Sequence, residues 1–365
     1  MMSNALLDQL PIATIRGRAR IADRGQGDLG PDVAALHAAG WLNACLPVRH
    51  GGMGWSCEPA GSAPAFDALR LAGRANLSLA RLFEGHMNAV KLVYLYANDA
   101  LKSEIAATVA GGSLLGVWGA DVPDDPVTRS GGSEAVSLKG IKQFASGLNL
   151  VEQAVIAVRT DEGTELWLAP TDERERADPA AWTMGGMRAT QSGRYDFTGI
   201  TLDRTSRLGV PDIYFTEPYF EGGIWRYCAA HLGAAEGIYE AMRDSLMRAN
   251  RAHDPHQQRR IAECAIALET MRLWISRAAR EVEAEGAPAG KAALSLLARD
   301  VTETNCLLVM DRAERALGTV AYIEGSLIER SCRDLRLFLR QAAPDAKRAK
   351  AVAQLLESST LVEGL

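Results

Sequence analysis

The 365-residue chain contains no Cys-x-x-Cys pair, no glycine-rich phosphate loop of the GxGxxG or P-loop kind, and no apolar run long enough to span a bilayer. Each absence excludes something. Its six cysteines (Cys45, Cys57, Cys228, Cys264, Cys306, Cys332) lack regular spacing, so neither a structural zinc nor a disulfide framework is expected. Scattered thiols on apolar helical faces fit a reducing, cytoplasmic setting. Met1 to Ala19 shows no apolar run behind a basic cluster, so no signal peptide is expected. Net charge is −5, which offers no footprint for nucleic acid or an acidic membrane. His253-x-x-His256 has helical spacing, but Asp254-Pro255 and the lack of further ligands favour a solvated turn over metal.

What is present divides into three zones. Residues 1–112 are helical in pattern, with a long stretch from Ala65 to Tyr96 broken near Asn76. Residues 113–218 change to short β-rich runs at 135–139, 153–158, 165–169 and 194–202, separated by Gly, Pro, Asp and Thr. Residues 219–365 return to helix, with candidates near 222–250, 256–285, 289–318, 322–339 and 345–358. His253-Asp254-Pro255 and Glu285-Gly286-Ala287-Pro288 mark breaks. The expected fold class is α+β: an N-terminal helical domain, a central β-barrel-like domain and a C-terminal four-helix bundle. Seven tryptophans, among them Trp41, Trp182, Trp225 and Trp274, read as core or interface anchors.

Four local motifs occur in order. They are Gly40-Trp41-Leu42 through Gly51-Gly52-Met53-Gly54; Lys139-Gly140-Ile141-Lys142-Gln143-Phe144-Ala145-Ser146-Gly147; Gly185-Gly186-Met187-Arg188-Ala189-Thr190-Gln191-Ser192; and Ala316-Leu317-Gly318-Thr319 with Glu329-Arg330 to Arg333-Asp334. Together with the zone order, they make the chain resemble the acyl-CoA dehydrogenase family over residues 30 to 350. The resemblance implies FAD, an acyl thioester substrate (acyl-CoA among them), an electron acceptor, and a homodimer or homotetramer. It places Phe144 against the flavin ring and Ser146 at its rim, with Thr190 and Ser192 near flavin and thioester. It places Gly318 and Thr319 at the ADP part of a neighbouring subunit's flavin, and Arg251 at the pyrophosphate.

Each residue also has a plainer reading. Phe144 to Ser146 also reads as a strand ending in a Ser-Gly turn, and Thr190 with Ser192 as a solvated strand edge. Gly318 also reads as a helix C-cap. The stretch from Arg251 to Gln258 also reads as a charged connection, since the family's usual Phe-Gly is missing there.

The pattern fails at the base. Dehydrogenation of an acyl thioester needs a carboxylate to remove the α-proton. The family position falls on Ala342, and the alternative position near Gly223 is also without an acid. Glu221, Glu217 and Asp345 lie nearby; Glu221 is the candidate substitute base, against the plainer reading of an acid at a helix start. A second reading keeps the fold and changes the chemistry to that of a flavin-dependent monooxygenase fed by a flavin reductase. There His86 becomes a candidate, with His231 behind it, against the reading of hydrogen-bonded core histidines. A third reading is an inactive scaffold or binding protein. The first expectation is an FAD-dependent oxidoreductase acting on a CH–CH group.

Overall fold

The computed structural model describes residues 6–357 except Ser56, Ser133 and Ala342. Helices come first among the described residues: α1 (Ile12–Asp23), α2 (Gly30–Ala38), α3 (Trp41–Ala44), α4 (Ser62–Ala75), α5 (Leu77–Tyr96) and α6 (Asp99–Ala110). The break expected near Asn76 is real. Asn76 is extended, and its side chain accepts from the Ser78 backbone N–H at 3.1 Å, so it closes one helix and caps the next. Asn98 caps α6 in the same way through the Leu101 N–H.

Among the described residues the central zone holds three small sheets. In the first, β1 (Leu114–Trp118) runs parallel to β5 (Val151–Thr160), which forms a hairpin with β6 (Gly163–Pro170), which pairs with β10 (Arg207–Leu208). In the second, β3 (Ala135–Lys139) lies between β2 (Thr128–Gly131) and β9 (Thr201–Asp203). In the third, β8 (Gly193–Asp196) lies between β4 (Ile141–Ala145) and β7 (Ala177–Asp178). The single run expected over 194–202 is thus two strands in different sheets, because Thr198-Gly199 turns the chain between them and Gly199 has φ 85°.

The C-terminal zone comprises α7 (Trp225–Arg248), α8 (Pro255–Val282), α9 (Ala292–Leu317), α10 (Leu327–Phe338) and α11 (Pro344–Glu357). Pro255 occupies the first turn of α8, and the Asp254 carboxylate accepts from the His256 and Gln257 N–H groups. No helix among the described residues is long and apolar enough to cross a membrane.

Two glycines join the N-terminal helices to this bundle. A Cβ on Gly73 of α4 would stand 2.1 Å from the Ala230 carbonyl oxygen. A Cβ on Gly233 of α7 would stand 1.9 Å from the Arg70 carbonyl oxygen. The two backbones therefore meet with no side chain between them, and each helix has its glycine where the other's carbonyl arrives. Substituting Gly233→Ala forces α4 and α7 apart. The expected loss is about 2–4 kcal/mol in urea unfolding, and a loss within about 0.5 kcal/mol of zero would contradict the close crossing.

Candidate active site

Where the three zones meet, a cavity of about 760 Å³ opens among α5, the loops of the β-sheets, the turn before α7, and the end of α10. Its β side carries a chain of hydroxyls. Thr190 Oγ1 donates to the Met187 carbonyl at 2.7 Å, and Ser192 Oγ lies 2.7 Å from Thr190 Oγ1 and 3.0 Å from Ser146 Oγ. Phe144, half exposed at 49%, lines the same wall, and its ring meets Trp182 edge-on at 6.3 Å between centroids. Four residues singled out in the sequence, Phe144, Ser146, Thr190 and Ser192, are thus brought together.

The backbone that does this is unlike the expected strands. Thr190 and Ser192 do not alternate along a strand. Residues 188–190 form a single 3-10 turn between Met187 and Gln191, which have φ of 55° and 47°. Phe144 has φ 55° at an irregularity in the β4–β8 pairing. Left-handed backbone costs a side-chain-bearing residue of order 1–3 kcal/mol, so neighbouring contacts must hold it. They do. Asp334 Oδ1 accepts from the Met187 N–H at 2.6 Å, and Arg333 donates to both oxygens of Asp23 at 2.7 and 2.8 Å. Gly186 lets α10 approach: a Cβ there would lie 2.8 Å from the Arg333 carbonyl oxygen. Burial lifts the Asp334 carboxyl to about 6, against the lowering by the Met187 N–H.

Beneath the wall, Lys142 is fully buried and bonds Asp121 at 2.6 Å. Gln143 Nε2 donates to the Asp121 carbonyl at 2.6 Å. These bonds hold the 119–121 segment, whose Gly119 and Ala120 line the cavity.

The opposite wall was not read from the sequence. Arg81, Glu84, Asn88 and Lys91 of α5 all line the cavity. Their spacing of three, four and three residues puts them on one face of the helix. A polar stripe at helical spacing along an otherwise buried helix was the available signal. Arg226 of α7, 2% exposed, stands beside them. Trp118 and Trp182 line the cavity as well, and Trp182 also packs against the core.

Several expected site residues are placed otherwise. His86 lies outside the cavity lining, with both ring nitrogens bound to backbone. The Leu115 N–H donates to Nδ1 at 3.1 Å, which leaves Nε2–H to donate to the Leu42 carbonyl at 3.2 Å. Burial lowers its pKa to about 4, so it is a neutral strut between α3, α5 and β1. His231 is also outside the lining, packed edge-on against Phe338 at 4.5 Å, and burial lowers it to about 3.

Glu221 does line the cavity, but its two oxygens are taken by Lys347 and Lys350, each at 2.7 Å. Burial raises its pKa, the two lysines together outweigh that, and the net shift is downward. It is a poor proton acceptor and a tether for α11. Asp345 is exposed, 3.8 Å from Arg348. Ala342 lies outside the described residues. Arg251, Gly318 and Thr319 are exposed and do not line this cavity; the contact expected of them is with a neighbouring subunit's flavin and is not one that a single chain displays. Gly318, with φ 62°, simply ends α9.

With this geometry in place, the relatives can be compared. Residues 220–339 match the family model of the acyl-CoA dehydrogenase C-terminal domain. Butyryl-CoA dehydrogenase from Megasphaera elsdenii superposes with a TM-score of 0.86 at 14% identity, covering 97% of this chain and 98% of that one. The chain therefore has the acyl-CoA dehydrogenase-like fold: N-terminal helices, central β-sheets and a C-terminal helical region.

The more specific likenesses lie elsewhere within that fold. Dibenzothiophene monooxygenase from Rhodococcus erythropolis is 25% identical over 303 residues, 72% of this chain and 70% of the relative. The probable FMNH2-dependent monooxygenase SfnC from Pseudomonas putida is 27% identical over 283 residues, 72% of this chain and 69% of the relative. TdsC from Paenibacillus sp. A11-2, solved with FMN and indole, superposes with a TM-score of 0.84 at 20% identity, covering 98% of this chain and 97% of that one.

These findings overturn the expectation of an FAD-dependent acyl-CoA dehydrogenase. The relatives are described as monooxygenases, and TdsC holds FMN and indole where FAD and an acyl thioester were expected. The physical reason the sequence misled is that the shared motifs build the fold and its hydroxyl wall, while the missing carboxylate was the residue that spoke to chemistry.

The histidine assignment carries a pH prediction. Free His86 protonates below about 6.5, whereas the folded residue resists until about 4. The unfolded chain therefore binds the extra proton first, and stability falls as pH drops from 6.5 to 4. Glutamine at this position does not titrate. His86→Gln is expected to gain on wild type by up to about 3 kcal/mol across that window, read from urea midpoints. A constant gap would show that His86 is solvated in the folded protein.

Proposed function

We propose that the protein is a flavin-dependent monooxygenase that uses reduced FMN and dioxygen to oxygenate a small organic substrate. The observation that carries this reading is the state of the carboxylates. Two line the cavity among the described residues, and both oxygens of each are engaged. Glu84 is held by Arg81 and Asn88, and Glu221 by Lys347 and Lys350. Neither is free to take an α-proton, and a monooxygenase needs none.

The residues fit FMN. The Phe144 and Trp182 rings offer an apolar wall for an isoalloxazine, and the Ser146–Ser192–Thr190 hydroxyls offer hydrogen bonds to its polar rim. FMN has no adenosine, so Arg251, Gly318 and Thr319 have no such group to meet. Reduced FMN, when bound, supplies two electrons to dioxygen, so that one oxygen atom enters the substrate and the other leaves as water.

The chain's own task is then to bind and to shield. Aromatic side chains from three sides, Trp118, Tyr214, Phe220 and Phe338, exclude water from the cavity and shape it for a planar or apolar substrate body. The Thr190–Ser192–Ser146 chain has rotatable O–H groups, which switch between donating and accepting as a bound ring changes protonation. The tether between Glu221 and α11 holds Lys347 in the cavity wall.

The test is to bind FMN by equilibrium dialysis, then to supply reduced FMN and oxygen-18-labelled dioxygen with indole and dibenzothiophene as probes. FMN binding and the label in product are expected. Ser192→Ala should weaken FMN binding about three- to tenfold, the worth of one net hydrogen bond. Absence of FMN binding, or bleaching of an FMN-loaded protein by butyryl-CoA without oxygen, would sink the reading.

A further inference from the structure

The charges lining the cavity do not balance at one end. Arg81 pairs with Glu84, Glu221 serves Lys347 and Lys350, and Glu303 serves Arg299 and Arg340, but in each of the last two sets one cation, Lys350 or Arg340, is more than half exposed to solvent. Lys91 and Arg226 share a single partner, Glu283, at 2.6 and 2.5 Å. The Lys91 side chain is 9% exposed, and Arg226 Nε is buried without a hydrogen-bond partner in the described structure. Two cations against one carboxylate leave one buried positive charge in the cavity wall. An uncompensated charge at this depth is costly unless a counter-charge arrives.

Arg226 also occupies a telling place. A Cβ on Gly223 would lie 2.8 Å from Arg226 Nη1, so a guanidinium stands beside the position read from the sequence as an alternative site for an acid. The sign of the local charge is thereby positive.

We propose that the Lys91–Arg226 end of the cavity binds an anionic group carried by the substrate, a carboxylate, sulfinate or phosphate, while the aromatic residues beside it hold an apolar body. This names the substrate class for the monooxygenase reading above and rests on that reading. Tyr219 covers Lys91, its ring 5.1 Å from the ammonium, and Tyr214 packs on Phe220 at 4.8 Å, so the apolar body has flat walls next to the charge.

The position along α5 separates this end from the hydroxyl chain. Arg81 shares a small recess with Ser146 and Trp118. Lys91 is ten residues further on, on the order of 15 Å along the helix. The flavin-facing hydroxyls and the excess cation thus sit at different ends of one cavity. Asn88 lies between them on α5, donating to Glu84 and accepting from Arg226 Nη1 at 3.4 Å through Oδ1.

A flavin phosphate is the other source of the same chemistry, so the experiment separates the two. FMN-saturated protein is titrated by calorimetry with 2-naphthoate and its neutral isostere 2-naphthamide, and FMN is compared with riboflavin. Naphthoate should bind about tenfold or more tightly than naphthamide, a preference that Lys91→Met abolishes and Lys91→Arg keeps. Lys91→Met leaves Glu283 paired with Arg226, so the variant should melt no lower than wild type.

The FMN-to-riboflavin affinity ratio should be unchanged in Lys91→Met. Equal affinity for the two naphthalenes, no binding of naphthoate, or a preference that survives Lys91→Met overturns the proposal. Loss of the FMN-to-riboflavin ratio in that variant also overturns it, by assigning the cations to the flavin phosphate. Should FMN itself not bind, the monooxygenase reading fails separately, and the naphthalene comparison on flavin-free protein still decides whether the anion site exists.

Discussion

The Arg333-Asp334 clamp is the contact on which the site depends. It joins three parts of the chain that are far apart in sequence. Arg333 holds Asp23 at the end of α1, and Asp334 holds the Met187 N–H at the start of the turn that presents Thr190 and Ser192. Without that acceptor, a buried N–H would be orphaned and the left-handed residues Met187 and Gln191 would lose what holds them. The hydroxyl chain is thus a property of the whole fold: a strained turn in the β-region, stabilised by a carboxylate from the helical region that is itself buried and raised in pKa.

The second constraint is electrostatic. A cavity walled by aromatic side chains has a low local dielectric, so each charge in it is either paired or significant. Glu84 and Glu221 are paired so fully that they add structure and little chemistry. The Lys91–Glu283–Arg226 cluster is paired unequally. Family resemblance would have placed acid chemistry in this cavity. Its interior instead offers hydroxyls at one end and excess positive charge at the other.

Legibility differed by the kind of signal. Phe144, Ser146, Thr190 and Ser192 were legible because they sit in local motifs, and local motifs survive as short strings. The backbone that joins them was not legible: a 3-10 turn between two left-handed residues, and not a strand edge, brings Thr190 to Ser192. The Asn76 break and the α8 start were legible because capping is local chemistry. His86 and Glu221 misled because a side chain's partners are not local. The backbone groups that occupy His86 come from Leu42 and Leu115, and the lysines that occupy Glu221 come from α11, more than a hundred residues on.

The sequence by itself determined the helix–strand–helix order, the breaks between helices, the hydroxyl residues of one wall, and the lack of a carboxylate at Ala342 and Gly223. Those follow from periodicity, capping and side-chain identity, all of which act over a few residues. Only the tertiary structure decided that His86 is a strut, that Glu221 is a tether, that Arg81, Glu84, Asn88 and Lys91 face a cavity, and that Glu283 must serve two cations. Charge, hydrogen-bond partners and solvent access at a buried position are set by whatever the rest of the chain packs against it. That is information no window of neighbouring residues contains.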